Sequence, residues 1–299
     1  MRDKRTTLVD AITSIPDGAR VALGGNTLHR GPSAAVHELV RQEKRGLEIV
    51  KTAGAYDVDL LCGMGCAASV AVGFVGFETE FGMAPSYRRA VEGGAVVAKE
   101  HACYTVIAGL RAAVQGVPFM PVAGLQGSDL PGLRGFHWLA NPYGGGEVVV
   151  VPALTPDVAI LHVQEADAAG NGRIVGTRFE DVLMAQAARS VILTAERVVD
   201  GALFEAHPET VAIAGFLVDA VVEAPGGAWP CGCAGEYDYD AEYLAAYVTA
   251  SREEGTLRRF VAERILATDS GCSVHDGSAP SPQFWGRPGT ARKNRRRGG

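Results

Sequence analysis

No run of about 18 apolar residues escapes a charge or a turn signal, so a helical membrane span is not expected in this 299-residue chain. The opening Met1-Arg-Asp-Lys-Arg-Thr-Thr7 lacks the apolar region of a secretory signal, and the expected location is the cytoplasm. Six cysteines (Cys62, Cys66, Cys103, Cys231, Cys233, Cys272) do not make a disulfide framework in a chain this long. Neither Cys62-x3-Cys66 nor Cys231-x-Cys233 has the two-residue spacing of a zinc knuckle, and no second Cys or His pair accompanies them. Reduced structural thiols are therefore expected, and no metal site. No G-x-G-x-x-G is present where a dinucleotide fingerprint would need it, and there is no convincing internal repeat.

Charge excludes a further class. The net charge is −6, yet residues 271–299 hold six basic residues against Asp276 alone, so the body is more acidic than the total suggests. An acidic body argues against nucleic-acid binding. The basic run Arg292-Lys-Asn-Arg-Arg-Arg297 reads as a solvated tail, and the Gly/Pro/Ser/Arg-rich segment 271–299 as disordered. That leaves 1–270 as one large domain, and a hydrophobic fraction of 47% with 21% charged residues is ample for its core.

The organising stretch is Arg20-Val-Ala-Leu-Gly-Gly-Asn-Thr-Leu-His-Arg-Gly-Pro32. It reads as a buried strand, a turn of bare backbone and a helix opening at Pro32, whose missing N–H suits a first helical position. Short apolar strands alternate with helices from there on. Leu47–Lys51, Ser69–Phe74, Ala95–Ala98, Pro118–Val122, Glu147–Pro152, Asp157–Val163, Ser190–Thr194 and Phe216–Val222 read as strands. The pattern predicts an α/β fold with an open, mostly parallel sheet and flanking helices. Ligands in such sheets sit beyond the carboxyl ends of the strands, which marks Gly24–Arg30, Phe74–Phe81 and Glu100–Cys103 as site loops. Residues 123–146 are Gly-rich and irregular, as in functional or partner-covered loops.

Several ordered blocks then resemble one family. Asp17-Gly-x-x-Val-Ala-Leu-Gly-Gly-Asn-x-x-x-Arg-x-Pro32 is similar to the glycine signature of family I coenzyme A-transferases, most of all the A (alpha) subunit of glutaconate CoA-transferase-like enzymes. Glu80-Phe-Gly-Met-Ala-Pro-x-Tyr-Arg-Arg-Ala90, Gly116-Val-Pro-Phe-Met-Pro121, Gly127-Ser-Asp-Leu130, the Val151–Asp167 block and Glu223-Ala-Pro-x-Gly-Ala228 extend the resemblance over roughly residues 1–265. Two departures touch acyl specificity: Asn26 stands where the signature has Phe, and Arg30 where other branches carry Gly.

The resemblance implies transfer of CoA between an acyl-CoA and a carboxylic acid through a glutamyl thioester, with the CoA thioester as substrate and no bound cofactor. It implies that the nucleophilic Glu belongs to a partner B (beta) subunit, so that the working enzyme is a hetero-oligomer. Within this chain Glu80, in an E-x-G context, and Glu100 are the secondary nucleophile candidates. Gly24, Gly25 and Asn26 are candidate donors to an oxyanion or carboxylate, the alternative for Asn26 being a turn residue. Arg30 is a candidate bidentate partner of a carboxylate or phosphate, or an inter-helix salt bridge. Glu100-His101 is a candidate acid–base pair, or a polar strand end, while Ser128 and Asp129 are placed to reach substrate from a polar loop. Two other functions fit the same scaffold: a ring-opening CoA-thioester hydrolase, disfavoured by His101-Ala-Cys103 where an acid is expected, and a ligand-sensing module, disfavoured because no DNA-binding helix-turn-helix is attached.

Overall fold

Strands rich in Val, Ile, Leu and Ala on both faces cannot expose either face to water, and here they form the centre of an α/β sandwich. The structure, a computed structural model, describes residues 2–267; the basic segment 271–299 lies outside them. In chain order the strands are β1 (Arg20–Leu23), β2 (Leu47–Gly54), β3 (Ala67–Val75), β4 (Val97–Glu100), β5 (Phe119–Val122), β6 (His137–Ala140), β7 (Glu147–Pro152), β8 (Val158–Asp167), β9 (Gly172–Arg173), β10 (Ser190–Val199) and β11 (Ala220–Glu223). Eight of them make one sheet in the order β11-β10-β8-β1-β2-β3-β4, with β9 against β8. Every pair along that order is parallel, and β8–β9 alone is antiparallel.

The chain steps from β1 outward to β4 and returns on the other side of β1 with β8. The connections therefore diverge between β1 and β8, the switch point where open parallel sheets leave a crevice at their carboxyl ends. All ten residues of β8 are buried, so its polar members His162, Gln164, Glu165 and Asp167 must find partners inside the protein.

Two apolar layers hold the sheet. On one face Val21, Leu23, Ile49, Val70 and Val72 meet Ser33–Arg41, Tyr56–Gly63, Ala241–Ala250 and Glu254–Val261. On the other face Ala22, Val50, Ala71 and Leu161 meet the helices Cys103–Gln115 and Asp181–Ala187. The Cys103–Gln115 helix approaches the sheet closely because β3 offers Gly73 beneath it. A Cβ there would stand 2.3 Å from the Cys103 backbone nitrogen. Gly73→Ala is expected to push this helix off the sheet and to destabilise by about 1–3 kcal/mol, as overpacking does. An unchanged urea midpoint would show that the helix yields freely.

Three segments differ from the sequence reading. Pro118–Val122 and Glu147–Pro152 do not join the parallel sheet; with β6 they form a separate antiparallel sheet, order β5-β7-β6. Val122, Val149 and Val151 pack with Phe136 on Ala108 of the Cys103–Gln115 helix, so a local core captures them before they reach the main sheet. Phe216–Val222 is extended only from Ala220, because Gly215–Leu217 is a 3-10 turn. In addition, Tyr56–Gly63 is a helix although its Asp57 and Asp59 break the apolar pattern; both acids are buried.

Candidate active site

The glycine loop leaves β1 at the switch point, where the sequence predicts bare backbone facing a ligand. Instead the chain fills that crevice itself. Gly24 N–H donates to Ile160 O at 2.9 Å, and Gly24 O accepts from Lys51 Nζ at 2.7 Å. Gly25 N–H faces both carboxylate oxygens of Asp181 at 3.2 and 3.3 Å. Asn26 and His29 close the loop by exchanging backbone hydrogen bonds of 2.9 and 2.8 Å. The glycines are required by close approach: a Cβ on Gly24 would meet Asp181 Oδ1 at 2.4 Å, and one on Gly25, at φ +69°, would meet His29 O at 2.4 Å. The candidate donors at Gly24 and Gly25 are thus spent within the fold.

Arg30 is held the same way. Its guanidinium forms a fork with Asp181, 3.0 Å on each side, and also donates to His162 O at 2.7 Å and Thr177 O at 3.2 Å. Asp181 opens the helix Asp181–Ala187, where a carboxylate also suits the positive end of the helix dipole. The carboxylate that Arg30 meets here is the chain's own, and the inter-element salt bridge is the observed alternative. Lys51 and Asp57 make a second buried ion pair under the loop.

Strain concentrates on this edge. Thr27, Arg30, Glu78 and Phe179 all carry positive φ, between +44° and +60°. Such conformations persist only where surroundings over-determine them, and they gather at functional loops. Thr27 Oγ1 donates to the Glu78 carboxylate, joining the loops that follow β1 and β3. Phe179 stacks on His29 and lies under the Arg30 guanidinium. Thr52 Oγ1 donates to Glu180 at 2.7 Å, and the exposed Cys103 thiol donates to Thr52 O at 3.3 Å. Partial burial and then the Glu180 charge push the Cys103 thiol above its usual range, which keeps it a protonated donor.

The other expected residues fall in two groups. Glu80 is exposed and accepts from Tyr239 O–H, and Glu100 is exposed at the end of β4. His101 follows β4; its Nδ1 pairs with Thr105 Oγ1 at 2.9 Å and its Nε2 with Arg134 at 3.2 Å. Burial first and Arg134 second lower its pKa to about 4, so it stands neutral. Ser128 is exposed and accepts from Leu130 N–H at 3.2 Å, and Asp129 precedes the helix Leu130–Arg134. The Arg134–His101 bond brings that loop to the Glu100-His101 strand end.

Sequence reasoning missed the partners. Asp181 and Glu180 sit at a helix start with no motif around them, and register alone carries them to β1 and β2. It also missed a buried set in which His162, Glu196 and Cys233 place ligand-type atoms within 4.8 Å of one another. His162 is bound by Thr194 at 2.9 Å and Glu196 at 2.8 Å. Burial would raise the Glu196 pKa, but hydrogen bonds from His162, Tyr237 and Gly226 N–H outweigh it and lower the value. These bonds account for His162 as a satisfied core residue. An open hollow of about 780 Å³ lies elsewhere, past the ends of β8 and β10 beside Arg2, Arg5 and Phe204, and holds none of the expected site residues.

Comparison with known proteins agrees with this architecture. The coenzyme A transferase family model matches residues 5–224. An uncharacterised protein of Archaeoglobus fulgidus is 36% identical over 87% of this chain, which spans 59% of that protein's length. The A (alpha) subunit of glutaconate CoA-transferase from Acidaminococcus fermentans is 34% identical over 88% of each chain. The crystal structure of that organism's glutaconate coenzyme A-transferase superposes with a TM-score of 0.85, at 33% identity over 89% of this chain and 90% of the other. A cholesterol ring-cleaving hydrolase IpdA subunit of Mycobacterium tuberculosis is 31% identical over 93% of this chain and 99% of its own. The family model spans most of the chain and these relatives match it nearly end to end, so the chain belongs to the coenzyme A transferase family.

Proposed function

We propose that this chain is the A (alpha) half of a two-subunit CoA-transferase that moves CoA between an acyl-CoA and a carboxylic acid. The observation that carries the reading is the end-to-end likeness to the A (alpha) chain of glutaconate CoA-transferase, in sequence and in fold. The site geometry supports the division of labour. The glycine-loop donors are engaged by Ile160 and Asp181, and both in-chain carboxylate candidates, Glu80 and Glu100, are solvent-exposed. An exposed carboxylate is a weak, fully hydrated nucleophile, whereas acyl transfer needs one held in a water-excluded site beside oxyanion donors. We assign the nucleophilic glutamate to a B (beta) chain docked on the carboxyl edge of the sheet.

In this scheme the partner's glutamate attacks the thioester carbonyl and the CoA thiolate leaves. The thiolate then attacks the acyl-glutamate anhydride at the glutamyl carbonyl, giving glutamyl-CoA and the first acid. A second acid reverses both steps. This chain contributes a rim of Asn26, His29, Thr27–Glu78, Thr52–Glu180 and Cys103 around the acyl group. The folded unit we assign to that task is 1–270, and the compartment the cytoplasm. Among the described residues no helix is long and apolar enough to cross a membrane.

The test is to co-express the chain with its genomic neighbour and incubate the complex with acyl-CoA, then with borohydride or hydroxylamine. Mass spectrometry is expected to find one modified glutamate, on the partner. An adduct on Glu80 or Glu100 would overturn the division of labour. Consumption of acyl-CoA by water, with no adduct, would favour the hydrolase reading that the IpdA likeness keeps in view.

A further inference from the structure

The bonds that satisfy His162 leave one member of its set without a partner. Cys233 is 0% exposed, and among the described residues its thiol makes no hydrogen bond. Its sulfur stands within 4.8 Å of ligand-type atoms of His162 and Glu196. The three come together by fold rather than by spacing. Parallel register sets His162 of β8 opposite Thr194 of β10, and Glu196, two residues on, shares their face. Cys233 arrives from the 226–237 loop, whose Gly226 N–H donates to Glu196 Oε2 at 2.6 Å. That loop reverses tightly at Cys233, with backbone bonds to Tyr237 of 2.8 and 3.0 Å. The spacing of Cys231 and Cys233 therefore could not reveal it.

The surroundings match those of a metal site. Cysteine sulfur, imidazole nitrogen and carboxylate oxygen are the donor types of zinc. The imidazole and the carboxylate are also held from behind, as outer partners hold metal ligands. Thr194 Oγ1 donates to Leu161 O at 3.2 Å, so it stands as acceptor toward His162 Nδ1 at 2.9 Å and turns Nε2 to Glu196. Glu196 is fixed by Gly226 N–H and by Tyr237 O–H at 2.5 Å. A thiolate and a carboxylate balance the charge of a divalent ion, so the occupied set buries no net charge. Tetrahedral bonds of about 2.0–2.3 Å space the donors by roughly 3.3–3.8 Å. His162 Nε2 and Glu196 Oε1, 2.8 Å apart, must then part by about half an ångström. The proton between them is what the ion replaces.

We infer that His162, Glu196 and Cys233 are the protein ligands of a structural zinc-type ion that fastens the 226–237 loop to β8 and β10. The thiol and the His162–Glu196 pair each give up a proton as the ion binds. A water or the Tyr237 hydroxyl completes the tetrahedron. Through that loop the ion steadies the glycine loop, because Arg30 N–H donates to Gly232 O at 2.7 Å and Gly232 N–H to Leu28 O at 2.8 Å. The inference goes beyond the transferase reading and does not rest on it.

The experiment uses the full-length chain, co-expressed with its genomic neighbour in zinc- or cobalt-supplemented medium and purified without chelator. Elemental analysis is expected to find about one zinc per chain in the wild type and its loss in Cys233→Ser. The cobalt form is expected to show a near-ultraviolet sulfur-to-cobalt charge-transfer band and the intense visible bands of a tetrahedral ion. Both should vanish in Cys233→Ser and persist in Cys231→Ser. Thr194→Val keeps all three ligands but removes the acceptor of His162 Nδ1–H. Competition with a chromophoric chelator is expected to read an affinity for cobalt about 10- to 100-fold weaker in that variant. Wild-type chain that carries no metal from either medium overturns the site. So does metal held equally by Cys233→Ser, which then sits elsewhere in the assembly. If Cys233→Ser does not fold, Thr194→Val decides: weakened affinity with the charge-transfer band intact sustains the site, and unchanged affinity overturns it. None of these readouts needs turnover, so a failure of the transferase reading leaves them standing.

Discussion

Arg30→Met is expected to destabilise the chain by ~3–5 kcal/mol, the cost of stranding one member of a buried ion pair. The side chains of Arg30 and Asp181 are 3% and 0% exposed, so water cannot replace the lost guanidinium. Asp181 would keep one hydrogen-bond donor from the loop, Gly25 N–H, at 3.2 Å. His162 O and Thr177 O would lose their partner as well. Arg30 also holds a positive φ, with its N–H bonded to Gly232 O at 2.7 Å and its side chain pinned at the far end. The loop between β1 and the Ser33–Arg41 helix is therefore expected to loosen together with the Thr177–Asp181 segment. The double variant Arg30→Met/Asp181→Leu removes both charges and should recover part of the loss, though not all, because Gly25 N–H then lacks an acceptor. Urea unfolding of the three variants reads this directly. If Arg30→Met costs less than about 1 kcal/mol, as an exposed pair would, the switch-point crevice is wet and the glycine-loop donors are available to a ligand after all.

The elements legible in the sequence were those whose burial follows a period. β1, the helix after Pro32 and the fully buried β8 carry runs that permit one assignment, and the carboxyl-edge loops follow from a parallel sheet. Tyr56–Gly63 was not legible, because Asp57 and Asp59 sit where a periodic reading expects apolar groups. Their burial depends on Lys51 and on Tyr247, which lies nearly two hundred residues away in sequence. The separate sheet was hidden for a different reason. All four residues of β6 are exposed, so no alternation marks them, and an apolar run such as Pro118–Val122 does not state which strand it will pair with. At the site, composition located the loops but not the bonds within them. Whether Arg30 reaches a ligand or Asp181 is decided by the register of β8 against β1, which brings the Thr177–Asp181 segment over the loop.

Acid should act on the helical layer in two opposing ways, and single variants should separate them. His37 is fully buried beside the Tyr56 hydroxyl, 2.7 Å from its Nε2, and burial with the Arg41 charge lowers its pKa to about 3. The unfolded value is about 6.5, so between the two the unfolded chain binds the extra proton and stability falls as pH falls. Across that whole window the loss is ~5 kcal/mol. Asp59 has the opposite sign. Burial raises it to about 6 against hydrogen bonds from Tyr87 N–H and Tyr247 O–H. The folded chain therefore binds the proton first, and acidification from pH 6 towards about 4 returns ~3 kcal/mol. Wild type should consequently change little between neutral pH and about pH 4, then weaken as the Asp59 gain is exhausted while His37 continues to titrate. In Asp59→Asn, whose amide imitates the protonated acid, the compensation is gone and the urea midpoint should fall steeply from about pH 6.5 downward. In His37→Gln the midpoint should instead rise as the pH drops. Parallel midpoint curves for wild type and both variants would mean that both groups titrate in the folded chain as they do in the unfolded one, and that the Tyr56–Tyr247 layer is open to water.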